Sequence, residues 1–182
     1  PNVLVVGPNL PVSNLAEFIA YVKSRKGPVN YGTAGNGSSQ HLSSALFNSM
    51  VDGNMVHVPY KGGAQAIADL LAGQIQAYFG PLVEVLPHIR GGKVKALGIT
   101  TKKRSPLLPE VPTIAEALPG YEVALWNAVL APAKTPADIL NKMNEAIVKV
   151  LNQPEVKARF AEQGSEPVGN SPAEFKQFIA AE

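Results

Sequence analysis

Short apolar runs alternate with longer amphipathic stretches along this chain. Val3-Leu4-Val5-Val6, apolar and mostly β-branched, reads as a strand. Leu15, Phe18, Ile19 and Val22 then recur at helical spacing and predict a helix from about Leu15 to Arg25. Asn14 caps it, Glu17 stands three residues on as a capping box requires, and Gly27 follows as a stop. Val29-Asn30-Tyr31 reads as the next strand, and a polar, glycine-rich loop leads into a helix over about Ser39–Met50. The series continues with a strand Met55–Val58, a helix about Ala64–Ala72 ahead of Gly73, and a strand Ile75–Phe79. A short helix around Val83–Ile89 and a strand Val94–Ile99 complete it. Strands and helices alternating with short links predict an α/β fold built on a parallel sheet with right-handed crossovers.

The texture changes after Thr100. Residues 102–112 are rich in proline and charge, a short helix is expected to start at Pro112, and Glu122–Ala131 reads as a long extended segment. Thr135-Pro136-Ala137-Asp138 combines a cap, proline at the first helical position and an acid in the first turn. The helix it opens carries Ile139, Leu140, Met143, Ala146, Ile147, Val150 and Leu151 on one face. Asp138 with Lys142 and Glu145 with Lys149 support the other. Pro154 opens a further helix that ends near Gly164, and Ser171-Pro172-Ala173-Glu174 starts the last one as a capping box. No repeat or low-complexity tract is visible.

Composition narrows the function classes. An apolar fraction of 46% suffices for a real core in a chain of 182 residues. Charged residues make up only 16% and the net charge is +2, too few and too mixed for a nucleic-acid binder. The longest basic run, Lys102-Lys103-Arg104, reads as a solvated loop. Absence of cysteine excludes disulfides and thiolate metal sites. No apolar run is long enough to span a membrane. Because the chain starts at Pro1 and carries no signal peptide, its start reads as a processed or truncated end.

In an open parallel sheet, ligands sit beyond the C-terminal ends of the strands. Three segments are expected there: Gly32 to His41, Pro59-Tyr60-Lys61-Gly62-Gly63, and Gly80-Pro81-Leu82. In the first, Gly35 and Gly37 allow the backbone to approach a ligand closely, and Ser38 or Ser39 caps the following helix. The free amides of that helix start, with Thr33, Asn36 and Ser38 as neutral donors, suit a carboxylate or phosphate oxygen. A tight turn with a cap is the plainer alternative. The loop is neither a Walker loop, for want of a lysine after the glycines, nor a dinucleotide fingerprint, since its glycine spacing differs and Pro59-Tyr60 stands where an acid belongs. His41 is either packed or functional, Lys61 either a turn residue or a cation for the ligand, and Tyr60 and Trp126 either core or cleft wall.

Catalytic signals are poor. Ser38 lacks the glycine pattern of a nucleophile elbow, and no acid lies near enough in sequence to orient His41. His41, His57 and His88 stand on separate segments without metal-ligand spacing. No catalytic residue, metal or cofactor is therefore expected. A hydrolase using Ser38 and His41 remains one alternative, and an interaction fragment that binds no ligand remains another.

Several segments resemble the solute receptors of the tripartite tricarboxylate transporter (Bug/TctC) family: Val29 to His41, Val56 to Gly62, Leu86-Pro87-His88-Ile89, Arg104-Ser105-Pro106 through Val111-Pro112-Thr113, and Leu130-Ala131-Pro132. The resemblance covers essentially the whole chain. It implies a class II periplasmic binding protein fold, with one mainly parallel-sheet lobe plus a C-terminal crossover strand and helices of the other lobe. It implies a periplasmic receptor, not an enzyme, that captures a small carboxylate or dicarboxylate and delivers it to membrane permease subunits. By this resemblance, ligand contact is assigned to Thr33, Ala34, Gly35, Asn36, Gly37, Ser38 and His41, then to Tyr60 and Lys61, and to Gly80.

Two departures stand out. Many relatives carry Asp or Asn where this chain has Gly80, which removes a polar side chain from the cleft and bears on ligands with an amino group. Relatives also have a long N-terminal stretch before the segment that begins here. Residues 1–121 are thus expected to form the second, ligand-binding lobe, and 122–182 the crossover and C-terminal helices of a first lobe that is largely absent. The apolar stripe from Ile139 to Leu151 then lacks part of its cover, so self-association, with or without exchanged C-terminal segments, and weakened ligand binding are expected.

Overall fold

A computed structural model describes all 182 residues, Pro1–Glu182, as two compact units, Pro1–Leu125 and Trp126–Glu182.

The first unit is a three-layer α/β structure. Its strands are β1 (Asn2–Val6), β2 (Val29–Thr33), β3 (Met55–Pro59), β4 (Ala77–Pro81) and β5 (Lys95–Ile99). The intervening helices are α1 (Leu15–Ser24), α2 (Ser39–Val51), α3 (Gly63–Leu71) and α4 (Leu82–Arg90). The strands form one sheet in the order β3-β2-β4-β1-β5. β2 runs parallel to β3 and β4, whereas β1 runs antiparallel to both β4 and β5. The sheet is thus mainly parallel with one reversed strand, β1, whose direction the alternation of elements did not show. An apolar run buried on both faces looks the same in either direction, so Val3-Leu4-Val5-Val6 carries no signal of its polarity.

Alternation along β1 divides the core. Leu4 and Val6 face α1 and α2, joining Leu15, Phe18, Val22, Phe47 and Val51 in one cluster. Val3 and Val5 face α3 and α4, joining Ile67, Leu70, Leu82, Val85 and Leu86 in the other. The first cluster is aromatic at its centre. Phe47 packs against Phe18, Phe79 and Tyr121 at ring-centroid distances of 5.8, 5.5 and 6.4 Å. On the second face Gly32 admits α3, since a Cβ there would lie 2.6 Å from Ile75 Cδ1 and 3.0 Å from Ala66 Cβ.

Helix starts follow their local chemistry. The Asn14 side chain accepts from the Glu17 amide at 2.9 Å, and Ser38 Oγ accepts from the His41 amide at 3.3 Å. The turn expected at Pro112 is a short 3-10 helix, Ile114–Glu116, where Glu116 accepts from the Thr113 amide and pairs in bidentate fashion with Arg104. β4 differs from expectation at its end. It runs to Pro81, so Gly80 and Pro81 belong to a buried strand instead of a loop. Both pair across to β1, at Val3 and Asn2, which extends the ladder past Phe79.

The second unit holds α5 (Ala137–Leu151), α6 (Pro154–Glu162) and α7 (Pro172–Ala181). Pro136, not Thr135, occupies the cap position of α5, because the Thr135 hydroxyl turns back to the Pro132 carbonyl at 2.8 Å. The Ser171 capping box of α7 forms as expected, with Glu174 accepting from the Ser171 amide. Residues 122–131 pair in no strand, so the extended segment supplies no crossover strand here. Trp126 sits edge-on to Phe175 and Phe178 and remains 42% exposed. No residue of α5 is buried, and Ile139, Met143 and Val150 of its apolar stripe are each more than 40% exposed.

Candidate functional site

β2, β3 and β4 point their C-terminal ends at one edge of the sheet, and the helices α2, α3 and α4 start from that edge. The loop between Thr33 and Ser39 lies there. Part of its hydrogen bonding is internal. Thr33 Oγ1 accepts from the Gly35 amide at 3.1 Å and meets His57 Nε2 at 2.6 Å. The Gly37 amide donates to His41 Nδ1 at 3.2 Å, and the Ser38 amide to the Gly35 carbonyl at 3.3 Å. Gly35 and Gly37 take φ of 116° and 75°, which only glycine enters without strain. This winding leaves the amides of Ala34, Asn36, Ser39 and Gln40 without an acceptor from the protein. Those of Ser39 and Gln40 open α2 and carry the positive end of its dipole, while those of Ala34 and Asn36 belong to the loop before it.

Ala34 and Asn36 offer open amides, whereas Thr33, Gly35, Gly37 and Ser38 are the framework that holds the loop. The Ser38 hydroxyl donates to the Gly35 carbonyl at 2.7 Å, away from His41. The His41 ring stacks on His57 at 4.2 Å, and His57 in turn stacks on Tyr31 at 5.4 Å. Ser38 and His41 are therefore not paired as nucleophile and base. Burial, and then His41, hold the His57 imidazole below its ordinary pKa. Tyr60 follows β3, but its hydroxyl is committed to Asp69 Oδ2 at 2.7 Å. Burial and that carboxylate push the phenol up to about 12. The Lys61 side chain is exposed, and its amide donates to Gln65 Oε1. Gly80 lies buried beneath the Tyr78 ring, its missing Cβ 2.2 Å from Tyr78 Cε1.

Three further residues complete the edge. Tyr78 and Gly80 share one face of β4, and the ring crosses the glycine so that its hydroxyl, fully buried, lies against the first residues of α2 and α3. That hydroxyl donates to Glu84 Oε2 at 2.9 Å and receives Gln40 Nε2 at 3.4 Å. A Cβ on Gly63 would stand 2.2 Å from Glu84 Oε2 and 2.6 Å from the Tyr78 hydroxyl oxygen, so the carboxylate rests against the first residue of α3. Burial and the Glu84 charge, against the Gln40 contact, keep the Tyr78 phenol well above its usual range, and it stays a donor. The i, i+2 spacing of Tyr78 and Gly80 was the signal available in the sequence, whereas Glu84 reads there as an ordinary first-turn acid. No three His, Asp or Glu side chains converge as metal ligands would.

The model of the tripartite tricarboxylate transporter family receptor (TctC) matches residues 1–182. The chain belongs to this family. Among TctC relatives, it is 38% identical over 183 residues to protein BugT of Bordetella pertussis, matching 100% of this chain and 56% of BugT. It is 35% identical to a UPF0065 protein of Agrobacterium vitis, of which it covers 54%. The chain thus spans just over half the length of the curated relatives it matches. Solved structures share the fold. Rpa4515 of R. palustris with adipate aligns at a TM-score of 0.93 and 37% identity, over 100% of this chain and 61% of that one. MatC of Rhodopseudomonas palustris with bound malate aligns at 0.90 and 34%, over 100% and 63%. The TctC receptor fold is that of the periplasmic binding proteins, and the mixed sheet described above is the form it takes in this chain. No helix is long and apolar enough to cross a membrane.

Proposed function

We propose that this chain takes up a small carboxylate or dicarboxylate at the β2–α2 loop, as the ligand-binding part of a periplasmic receptor that serves a tripartite tricarboxylate transporter. The observation that carries this reading is the group of unpartnered amides of Ala34, Asn36, Ser39 and Gln40 at one open sheet edge. Relatives of the same fold hold adipate and malate. In this reading Ala34 and Asn36 touch the ligand directly, and Thr33, Gly35, Gly37 and Ser38 hold the loop in shape. The His41 and Tyr60 rings wall the site, Lys61 reaches in with its charge, and Gly80 seats Tyr78. Residues 1–121 act as the second lobe and 122–182 as the crossover and helices of the first, and the loaded receptor hands its ligand to a permease pair in the membrane. Turnover has no support in the geometry, since the Ser38 proton points to a carbonyl and not to a base.

Amide-resolved NMR of the chain, titrated with malate and adipate into the millimolar range, tests this. Shifts concentrated on Ala34, Asn36, Ser39 and Gln40 are expected, and Gly37→Val, which strains a positive φ, should abolish them. A spectrum in which none of those amides responds to either acid overturns the proposal.

A further inference from the structure

Two imidazoles hold the β2–α2 loop. His41 Nδ1 accepts from the Gly37 amide at 3.2 Å, so the neutral ring bears its hydrogen on Nε2. His57 Nε2 meets Thr33 Oγ1 at 2.6 Å, and the same oxygen accepts from the Gly35 amide. The two rings stack at 4.2 Å with planes 17° apart, and Tyr31 continues the stack beyond His57. Both positive-φ glycines of the loop are therefore tied back through one stacked pair.

No countercharge serves this pair. The loop, β2, β3 and α2 contain no Asp, Glu, Lys or Arg, and Tyr31 is their only other titratable side chain. Burial keeps that phenol above its usual range. After β3, Tyr60 is bonded to Asp69 of α3, and Lys61 is exposed. Tyr78 of β4 and Glu84 of α4 bond each other and reach α2 at Gln40 instead. Neither imidazole forms an ion pair. A proton on the pair thus faces a second ring and the positive end of α2, since His41 lies in its first turn. The two histidines answer a proton differently. A charged His57 donates to Thr33 Oγ1, whose hydroxyl can turn to the Gly35 carbonyl at 3.3 Å. A charged His41 sets an Nδ1 hydrogen against the Gly37 amide, and that bond is lost.

We propose that the stacked His41–His57 pair is a proton-operated latch on the β2–α2 loop. With both rings neutral the loop is wound as described. Protonation of His41 releases Gly37, parts the rings and loosens the turn that presents the Ala34 and Asn36 amides. For the ligand the consequence rests on the carboxylate reading above: the site holds its anion at neutral pH and lets it go as the pH falls. An added positive charge by itself strengthens an anion's binding, so the sign of the pH dependence separates a latch from simple attraction.

The test follows the chain by NMR between about pH 8 and about pH 5, the range in which imidazoles take up their proton. The His41 ring and the Gly37 amide should titrate together, and Gly37 should lose protection from exchange below that midpoint. His41→Asn supplies a neutral acceptor and should hold Gly37 throughout. His41→Phe keeps the stack without an acceptor and should show a released Gly37 amide already at the alkaline end. Malate affinity, taken relative to that of His41→Asn so that the acid's own ionisation cancels, should fall about fivefold across the titration, the worth of one hydrogen bond. A Gly37 amide indifferent to the His41 titration overturns the latch. So does the same acid transition in His41→Asn, or a relative malate affinity that holds or rises as the pH falls. Absence of any malate response at the alkaline end removes the carboxylate reading instead, and the Gly37 titration still decides the latch.

Discussion

Replacing Gly80 with alanine tests whether the Tyr78 ring is as tightly seated as the site requires. The added Cβ would stand 2.2 Å from Tyr78 Cε1 and 2.6 Å from Val85 Cγ1, well inside van der Waals contact. Neither neighbour can give way freely, because Tyr78 is fully buried and Val85 is 1% exposed. Overpacking of this kind costs ~1–3 kcal/mol. In a chain of this size each kcal/mol lowers the melting temperature by about 2–4 °C, so a fall of roughly 2 to 12 °C is expected. Urea unfolding followed by far-UV circular dichroism reads the cost, since Trp126 belongs to the other unit and does not report on β4. Tyr78→Ala leaves a cavity by itself, but combined with Gly80→Ala it makes room for the new methyl group. The double variant should therefore be at least ~1 kcal/mol more stable than the sum of the single effects predicts. Strict additivity, or a Gly80→Ala midpoint equal to that of the parent, refutes the reasoning.

Other consequences follow from the same geometry. Ser38→Ala removes the acceptor of the His41 amide and the donor to the Gly35 carbonyl, and should cost ~0.5–2 kcal/mol in a urea midpoint. An unchanged midpoint assigns the cap elsewhere. His57 is held below the ordinary imidazole value of 6.5, first by burial and then by His41. The unfolded chain therefore takes up this proton at a higher pH than the folded one. Stability should hold above about pH 6.5 and decline as the pH falls from there through the folded pKa. His57→Gln should flatten that slope, which denaturation at a series of pH values measures. The exposed apolar stripe of α5, with Val129 and Leu130 at 68% and 75% exposure, predicts self-association at micromolar concentration. Sedimentation should show it, and Met143→Lys should weaken it, whereas a clean monomer in the unaltered chain counts against it.

Much of the local structure was legible in the order of residues. The Asn14–Glu17 and Ser171–Glu174 caps, the helical stripes of α1 and α5, and the positive-φ glycines of the β2–α2 loop all depend on neighbours within about one helical turn. They appear where the pattern places them. Even here the reading missed small competitions, as when Thr135 bonds Pro132 and leaves the cap of α5 to Pro136. The anion-binding character of the loop was also visible, but not which amides stay open. That depends on Thr33 and His41, whose side chains turn back to satisfy Gly35 and Gly37.

The sequence by itself determined what each segment would be, because caps, periodicity and glycine conformations are short-range properties of the chain. It carried the family resemblance for the same reason, through runs such as Val29 to His41. Only the tertiary structure decided that β1 runs against its neighbours and that β4 continues through Gly80 to Pro81. It alone brought Gln40, Gly63, Tyr78 and Glu84 to one point. Strand direction, ladder length and the meeting of three helix starts are set by packing between residues far apart in sequence, 44 positions from Gln40 to Glu84 and 79 from Asn2 to Pro81. No local pattern records which of many sterically possible partners a buried face will choose.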